Sequence, residues 1–390
     1  MEQAKAQPPK ARPRPIHTKL KMFSIRAGID LPFFGLTLLI LGIGLIMLFS
    51  SSYAYALAYK RDSLYYLKRQ LIWALAGVVV MLGVSYFDYH KLHKLAIPLL
   101  LLSYALLVAV LFLPTYANAK RWIYIGSASF QPSEITKFAL ILTYAHFMSI
   151  YYKNMTRFLT GIMPYVLIFG STAMLLLLEP HLSCTMIIFA ITVLMMFFGG
   201  VKVRWFALLL IALGIIGYIA LFTDLIPYAS TRIEVWRDPF GYPNKDASHQ
   251  TRQSLYAIGS GGLLGLGLGN SRQKYLYLPE PQNDFIFSVV CEELGLVGAV
   301  LILALFALLV WRGAVIALRA PDKFGTLLAM GLISQVGLQV LLNVAVVSNT
   351  IPNTGISLPF FSYGGTSLLM LLGEMGIVLS VSRSARIEKA

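Results

Sequence analysis

The chain has little charge, less acid and almost no cysteine. Charged residues fill 13% of its 390 positions, about half of the ~25% usual in soluble domains. Hydrophobic residues fill 57%, and mean hydropathy is +0.72. So little polar surface cannot cover so much apolar side chain, which excludes a soluble globular enzyme and a disordered chain. The two cysteines, Cys184 and Cys291, sit in apolar runs. They exclude a disulfide scaffold and read as core residues. The six histidines are scattered and form no Cys/His metal box. His90 and His93, interleaved with Lys91 and Lys94, read as surface charge. Against 17 acidic residues stand 32 Lys and Arg, a net charge of +15. Such a balance can signal nucleic acid. Here basic flanks of membrane spans explain it better, and no nucleic-acid partner is expected.

What the chain does have is long apolar runs. A membrane helix needs about 20 apolar residues at 1.5 Å each. Ten stretches qualify, near 33–57, 70–87, 95–114, 134–152, 159–178, 184–199, 205–223, 285–311, 326–348 and 360–381. The predicted fold is therefore an all-α polytopic membrane protein with about ten transmembrane helices. The sixth span is short and enters through Glu179-Pro180-His181. An even count puts both termini on one side. The tails and even-numbered connections carry 19 Lys and Arg, the odd-numbered ones 12. Both tails are predicted to be cytoplasmic. The expected organisation is a basic, Pro-rich cytoplasmic tail (1–32), spans one to seven (33–223), a large extracellular loop (224–284), spans eight to ten (285–381) and a cytoplasmic tail (382–390). The basic start has no apolar signal-peptide core, so no cleavable signal is expected, and it would favour anionic lipid. The short loop 58–69 breaks the charge rule with Lys60, Arg61, Lys68 and Arg69. The reading offered for it is a role with an anionic ligand or lipid.

Loops as long as 224–284 are usually functional. Its segment 259–270 holds six glycines. No Gly-Lys-Ser/Thr follows and no strand–helix unit surrounds it, so nucleotide binding is rejected. A compact turn-rich loop is favoured over a groove of backbone amides. The uncharged stretch 348–367, with Pro352, Gly355, Pro359, Gly364 and Gly365, reads as a re-entrant or interfacial loop rather than a plain hairpin.

Carboxylates are expensive in a bilayer, so Glu134, Glu179, Asp284, Glu292, Glu293 and Glu374 are site candidates. Glu134 has Lys137 three residues on, within reach on a helix. The pair is either a mutual ion pair or part of a polar cluster at a cavity, joined by Lys120 and Arg121. Cations there suit a pyrophosphate or another anionic group. Asp284 is either the N-cap of span eight, a site group, or both. Glu292 and Glu293 either point into the bundle beside it or form an internal hydrogen-bonded pair.

Four motifs, in order along the chain, then identify a family by resemblance. They are AKRWI (119–123) with FQPSEITK (130–137), TRIEVWRDPF around Arg232 and Pro239, GLGLGNSRQKYLYLPEPQNDFIFSVVCEELGLVG (265–298), and LQVLLNVAVVSNTIPNTGISLPFFSYGGTSLL (338–369). They resemble the SEDS proteins (shape, elongation, division and sporulation), with GNSRQKYLYLPE nearer to the FtsW and SpoVE branch than to RodA. Two positions depart from common family patterns: Gln282-Asn283 before Asp284, and His181-Leu182-Ser183 after Pro180. The resemblance implies a peptidoglycan glycosyltransferase of the bacterial cell membrane that polymerises lipid II for division or sporulation. Asp284 would be the general base of an inverting displacement. Lys120, Arg121, Lys137 and Arg232 would stabilise the pyrophosphate leaving group, with Glu134 orienting Lys137. Lys274, Ser362, Tyr363 and Gly364 complete the implied substrate-binding set. A divalent cation, Mg or Mn, would assist without a dedicated cage. The implied partners are the lipid II donor and acceptor, membrane lipids and a class B penicillin-binding transpeptidase. The alternatives are a lipid II flippase or other polytopic transporter, and a non-catalytic divisome scaffold.

Overall fold

The computed structural model describes residues 28–113, 121–125, 128–207 and 227–385. Its long elements are helices: α1 (Leu31–Lys60), α2 (Tyr65–Tyr86), α3 (Ala96–Leu111), α4 (Pro132–Ile150), α5 (Phe158–Gly161), α6 (Met163–Leu178), α7 (Leu182–Phe198), α8 (Pro227–Arg237), α9 (Lys245–Gly261), α10 (Ile286–Leu318), α11 (Lys323–Val347) and α12 (Gly365–Ser384). Two three-residue strands, β1 (Ile123–Ile125) and β2 (Ala128–Phe130), pair antiparallel with Tyr124 opposite Ser129. Among the described residues, six helices are long and apolar enough to cross a membrane, counting the short 3₁₀ turn ahead of α3 with that helix. The apolar α6 and α7 are shorter, at 16 and 17 residues. All but 205–207 of the seventh predicted span lies outside the described residues, as do the tail up to residue 27 and residues 386–390. Each of the other nine predicted spans holds a helix.

Helix lengths follow from composition and caps. At 1.5 Å per residue the 30 residues of α1 reach about 45 Å, more than the ~30 Å of a hydrocarbon core. Asp30 starts α1 by accepting the Phe33 amide at 3.0 Å. The same carboxylate pairs with Arg312 at 2.7 Å, and the Asp30 amide donates to Ser382 Oγ at 3.2 Å. One buried acid thus fastens the start of α1 to the ends of α10 and α12. All its oxygens are used, the condition under which a buried charge is tolerated. α12 packs most extensively on α2. Gly376 lets the backbones approach, since a Cβ there would lie 2.6 Å from the Met81 carbonyl, the small-residue packing expected in membranes. At this end of the bundle, His90 and His93 are not simple surface charge. His90 lies between Asp88 and Asp322, while His93 stacks on Phe324 and its Nδ1 is 2.8 Å from that of His146.

At the opposite end the odd-numbered connections converge. β1–β2, the turn 179–181, the segment 279–284, the irregular stretch 349–364 and the start of α2 surround one opening. The glycine-rich segment is a compact turn docked on α10. The amides of Leu266 and Gly267 donate to the carbonyls of Glu292 and Glu293. Gly295, at φ 66°, breaks the helix there. Gly265, at φ 78°, approaches so closely that a Cβ would meet the Glu293 carbonyl at 2.2 Å. The amides of Gly265, Leu266, Gly267 and Asn270 are taken by backbone carbonyls, as expected of a compact turn.

Candidate active site

The converging connections enclose a polar cavity of about 680 Å³. Its wall holds Asp284, Glu134, Lys137, Arg121 and Arg69. Three cations thus face two carboxylates in a space large enough for a sugar and a pyrophosphate. Each group is placed by a different element. Pro132 starts α4, putting Glu134 in its first turn and Lys137 one turn on. Lys137 Nζ pairs with Glu134 at 2.9 Å and is itself buried. The second Glu134 oxygen accepts from Ser367 Oγ at 3.0 Å, at the start of α12. Both sequence readings of this pair hold: it is an ion pair and it lines the cavity. Arg121 donates to the carbonyls of Glu179 and Pro180, which fixes β1 to the turn before α7.

Asp284 precedes α10 and does not cap it. The N-cap is Phe285, with no side-chain hydrogen bond. Asn343, from α11, holds the Asp284 backbone instead. Its Nδ2 donates to the carbonyls of Asp284, at 2.7 Å, and Ile356, at 2.6 Å. The carboxylate is left to face the cavity. Across from it, Gly355 sits at φ 73°, and a Cβ there would lie 3.0 Å from Asp284 Oδ2. Burial pushes the Asp284 carboxyl up to about 6, helped by the negative charge of Glu280 and opposed by Arg232 and Arg121. That value suits a group that must accept a proton near neutral pH.

The 349–364 stretch is irregular backbone satisfied by protein, the condition for such a segment at membrane depth. Trp236 and Asn349 exchange hydrogen bonds with each other's carbonyls. Gln70 donates to the Ser362 carbonyl and accepts the Gly364 amide, both at 3.2 Å. Tyr363 and Gly364 line the cavity. Ser362 stands behind them, donating to the Asn283 carbonyl at 2.7 Å and accepting the Leu358 amide at 2.8 Å. Arg232 is also behind the wall: it holds the Asn353 carbonyl and acts on Asp284 through charge. Lys120 lies outside the described residues.

Lys274 is not in this site. Its Nζ is buried against Glu293 at 2.9 Å, Ser50 Oγ at 3.2 Å and the Gly269 carbonyl at 2.6 Å. A buried ammonium needs a carboxylate, and Glu293 supplies it. Glu292 accepts the Arg272 amide at 2.9 Å and the Ser271 hydroxyl. The two glutamates are thus the internal pair, tying the 269–274 turn to α10 and α1. Glu374 is buried and accepts from Gln335 at 3.0 Å. It reaches a small recess next to the cavity rather than the cavity itself. Glu179 is buried behind Arg121.

Arg69, Gln131, His181 and Asn283 also line the cavity and were missed as site residues from sequence. The one signal for Arg69 was the basic loop 58–69, read for a role with an anionic ligand or lipid. Among the described residues no three His, Cys, Asp or Glu side chains are grouped to hold a metal ion. The cavity cations are positioned to face a phosphate.

Fold and site together define a polytopic helical membrane protein with a charged cavity at one end of its bundle. The profile of the FtsW/RodA/SpoVE family, described as "Cell cycle protein", matches residues 31–387, and the chain belongs to that family. Stage V sporulation protein E of Bacillus subtilis (strain 168) is 42% identical over 358 residues, covering 90% of this chain and 96% of that protein. A probable peptidoglycan glycosyltransferase FtsW of Geobacter sp. (strain M18) is 38% identical over 364 residues, covering 92% and 98%. Among solved structures, a chain of a peptidoglycan synthase complex that coordinates polymerization and crosslinking superposes with a TM-score of 0.76 at 28% identity, covering 91% and 98%. The rod shape determining protein RodA of Thermus thermophilus superposes at 0.66 and 26%, covering 92% and 98%.

Proposed function

We propose that this chain is a peptidoglycan glycosyltransferase that polymerises lipid II into β-1,4 glycan strands, in division or sporulation. The observation that carries the reading is Asp284 facing a cavity that also holds Arg121, Lys137 and Arg69. A sugar hydroxyl is a poor nucleophile at neutral pH, so a base within hydrogen-bond reach matters. Asp284 takes the proton of the acceptor GlcNAc 4-hydroxyl. The oxygen attacks the donor MurNAc anomeric carbon, and the bond to undecaprenyl pyrophosphate breaks. One displacement inverts the α-linked donor to a β bond, the single-step logic of inverting glycosidases. The pyrophosphate departs with its electron pair, and the cavity cations stabilise the charge. Glu134 keeps Lys137 charged and aimed. Arg232 and Ser362 position the backbone around Asp284, and Tyr363 and Gly364 shape the wall.

The distribution of basic residues supports a cytoplasmic location for both termini, with the cavity on the outer side where a flipped substrate would arrive. A carrier would place its site near the bilayer midplane. The cavity instead lies where the odd-numbered connections meet. The partner expected from the family is a class B penicillin-binding transpeptidase, which would cross-link the emerging strand. The test is polymerisation of labelled lipid II by the purified protein, alone and with its cognate transpeptidase, beside Asp284→Asn. Strands from the wild type and none from a folded Asp284→Asn variant are expected. Strands from both would remove Asp284 from its role, and strands from neither would remove the activity.

A further inference from the structure

A second concavity, a groove of about 510 Å³, lies beyond the cavity wall. Its sides are the last turns of α1, with Tyr55 and Tyr59, the start of α9, with Asp246, His249 and Gln250, and the segment 276–280, ending at Glu280. We propose that this groove binds the saccharide strand itself, as a product subsite adjoining the catalytic cavity. The inference rests on the glycosyltransferase reading above.

Three observations carry it. The first is adjacency. The segment 279–284 is a wall common to both spaces: Glu280 faces the groove, while Asn283 and Asp284 face the cavity. Asn283 Nδ2 donates to Glu280 at 2.8 Å, so the two faces are tied together. A row of tyrosines runs the same way. Tyr363, in the cavity wall, meets Tyr66 edge-on at 4.8 Å between centroids. Tyr66 meets Tyr55 at 6.3 Å, and Tyr55 meets Tyr59 at 4.5 Å.

The second is chemistry. A sugar ring offers a C–H face that packs on an aromatic ring and a rim of hydroxyls that need planar polar partners. Tyrosine supplies an apolar face with a polar edge. Carboxylate, amide and imidazole groups supply the partners. The groove has both kinds, and Tyr59 is 63% exposed. His249 is oriented by donating Nε2–H to the Tyr277 carbonyl at 2.9 Å.

The third is charge. The cavity wall sets Arg69, Arg121 and Lys137 against Glu134 and Asp284, an excess of positive charge, whereas Asp246 and Glu280 line the groove with no Lys or Arg among its lining residues. A pyrophosphate is attracted to the first and repelled by the second. The saccharide units of the product that gave up their pyrophosphate in earlier transfers carry no phosphate and meet no such conflict. The groove thus admits the phosphate-free sugars, while the pyrophosphate retained at the acceptor-derived reducing end stays with the cavity cations.

A Tyr-rich rim could instead be an interfacial belt that meets lipid head groups, and the experiment separates the two. Lipid-free β-1,4-linked GlcNAc–MurNAc octasaccharide is titrated onto the full-length protein in detergent, followed by saturation-transfer NMR. Strand lengths made from labelled lipid II are measured in parallel. Tyr59→Ala with Asp246→Ala is expected to weaken octasaccharide binding at least tenfold and to shorten strands several-fold. Tyr59→Phe should retain both. Phe112→Ala, an exposed ring elsewhere on the surface, should match the wild type. Octasaccharide binding and strand length that are unchanged in the double variant would overturn the groove. So would an octasaccharide that does not bind the wild type. If the wild type makes no strands, the polymerase reading fails, and the binding titration still decides the groove.

Discussion

Asp284 and Glu293 are nine residues apart, and both are acids that a bilayer penalises, yet their surroundings differ in kind. Glu293 is fully enclosed, with its oxygens taken by Ser50 Oγ, Lys274 Nζ and the Ser271 amide. Glu292 beside it is satisfied by Ser271, Arg272 and Gln273. Asp284 has its backbone held by Asn343, while its carboxylate faces an open cavity with unneutralised capacity. The first cluster spends its charge on structure, and the second keeps it for a ligand. Cost of burial alone cannot tell the two apart; what closes over each carboxylate can.

The comparison breaks most severely at Asp284. Asp284→Asn keeps shape and removes the base, so polymerisation is expected to fall by ~10³-fold or more. Detergent thermal unfolding should show an intact fold. A variant that retains more than a tenth of the rate would mean that the open carboxylate is no more functional than the enclosed one.

Next in size is the ion pair of the cavity. Lys137→Met removes a cation aimed at the leaving group and leaves Glu134 with Ser367 alone. A loss of ~10²–10³-fold in kcat is expected, the range for removing one preorganised electrostatic group. Glu134→Gln should lose less, because Lys137 remains. Equal losses in both would make the pair a single structural unit.

The enclosed cluster should respond through stability. Lys274→Met strands Glu293 without its cation, which costs ~3–5 kcal/mol for a buried pair broken on one side. Thermal unfolding should show a large drop, with activity per folded molecule retained. Lys274→Met with Glu293→Leu should recover part of the loss, limited by Ser50 and the Ser271 amide losing their acceptor. A Lys274→Met protein that is stable but inactive would return Lys274 to the substrate-binding set.

The contrast also explains what could be read in advance. Apolar runs located the helices, because length and hydropathy are local properties. Glu134 and Lys137 were paired correctly because their contact lies within one turn. Asp284 was singled out by resemblance; its local sequence equally suggested a cap, which it is not. Glu292 and Glu293 remained open because their partners arrive from a turn some 20 residues earlier and from α1. Lys274 was misplaced for the same reason: nothing near it in sequence points to Glu293. Arg69 was not separated from the other basic residues of 58–69, and Gln131 and His181 were given no site role, because the cavity is made by five connections far apart along the chain. Only the excess of positive charge in 58–69 hinted that a cation there had work to do.

The mildest perturbation is pH, and it sharpens the contrast without changing a residue. Burial pushes the Asp284 carboxyl up to about 6, above the ~3.9 of a free aspartate. As the proposed base it must be ionised, so the rate should fall about tenfold for each pH unit below that value. Its effect on stability runs the other way. The folded state holds this proton more tightly than the unfolded chain, so its stabilising contribution is complete below about 3.9 and is lost as pH rises through about 6. Between pH 7 and pH 5 the wild type should therefore gain stability relative to Asp284→Asn, which has no such proton to bind. Parallel unfolding curves for the two proteins across that window, with a rate that ignores pH, would place the titrating carboxylate elsewhere. An activity loss and a relative stability gain that share one midpoint would tie both to the same oxygen atoms, the ones that the open cavity leaves unclaimed.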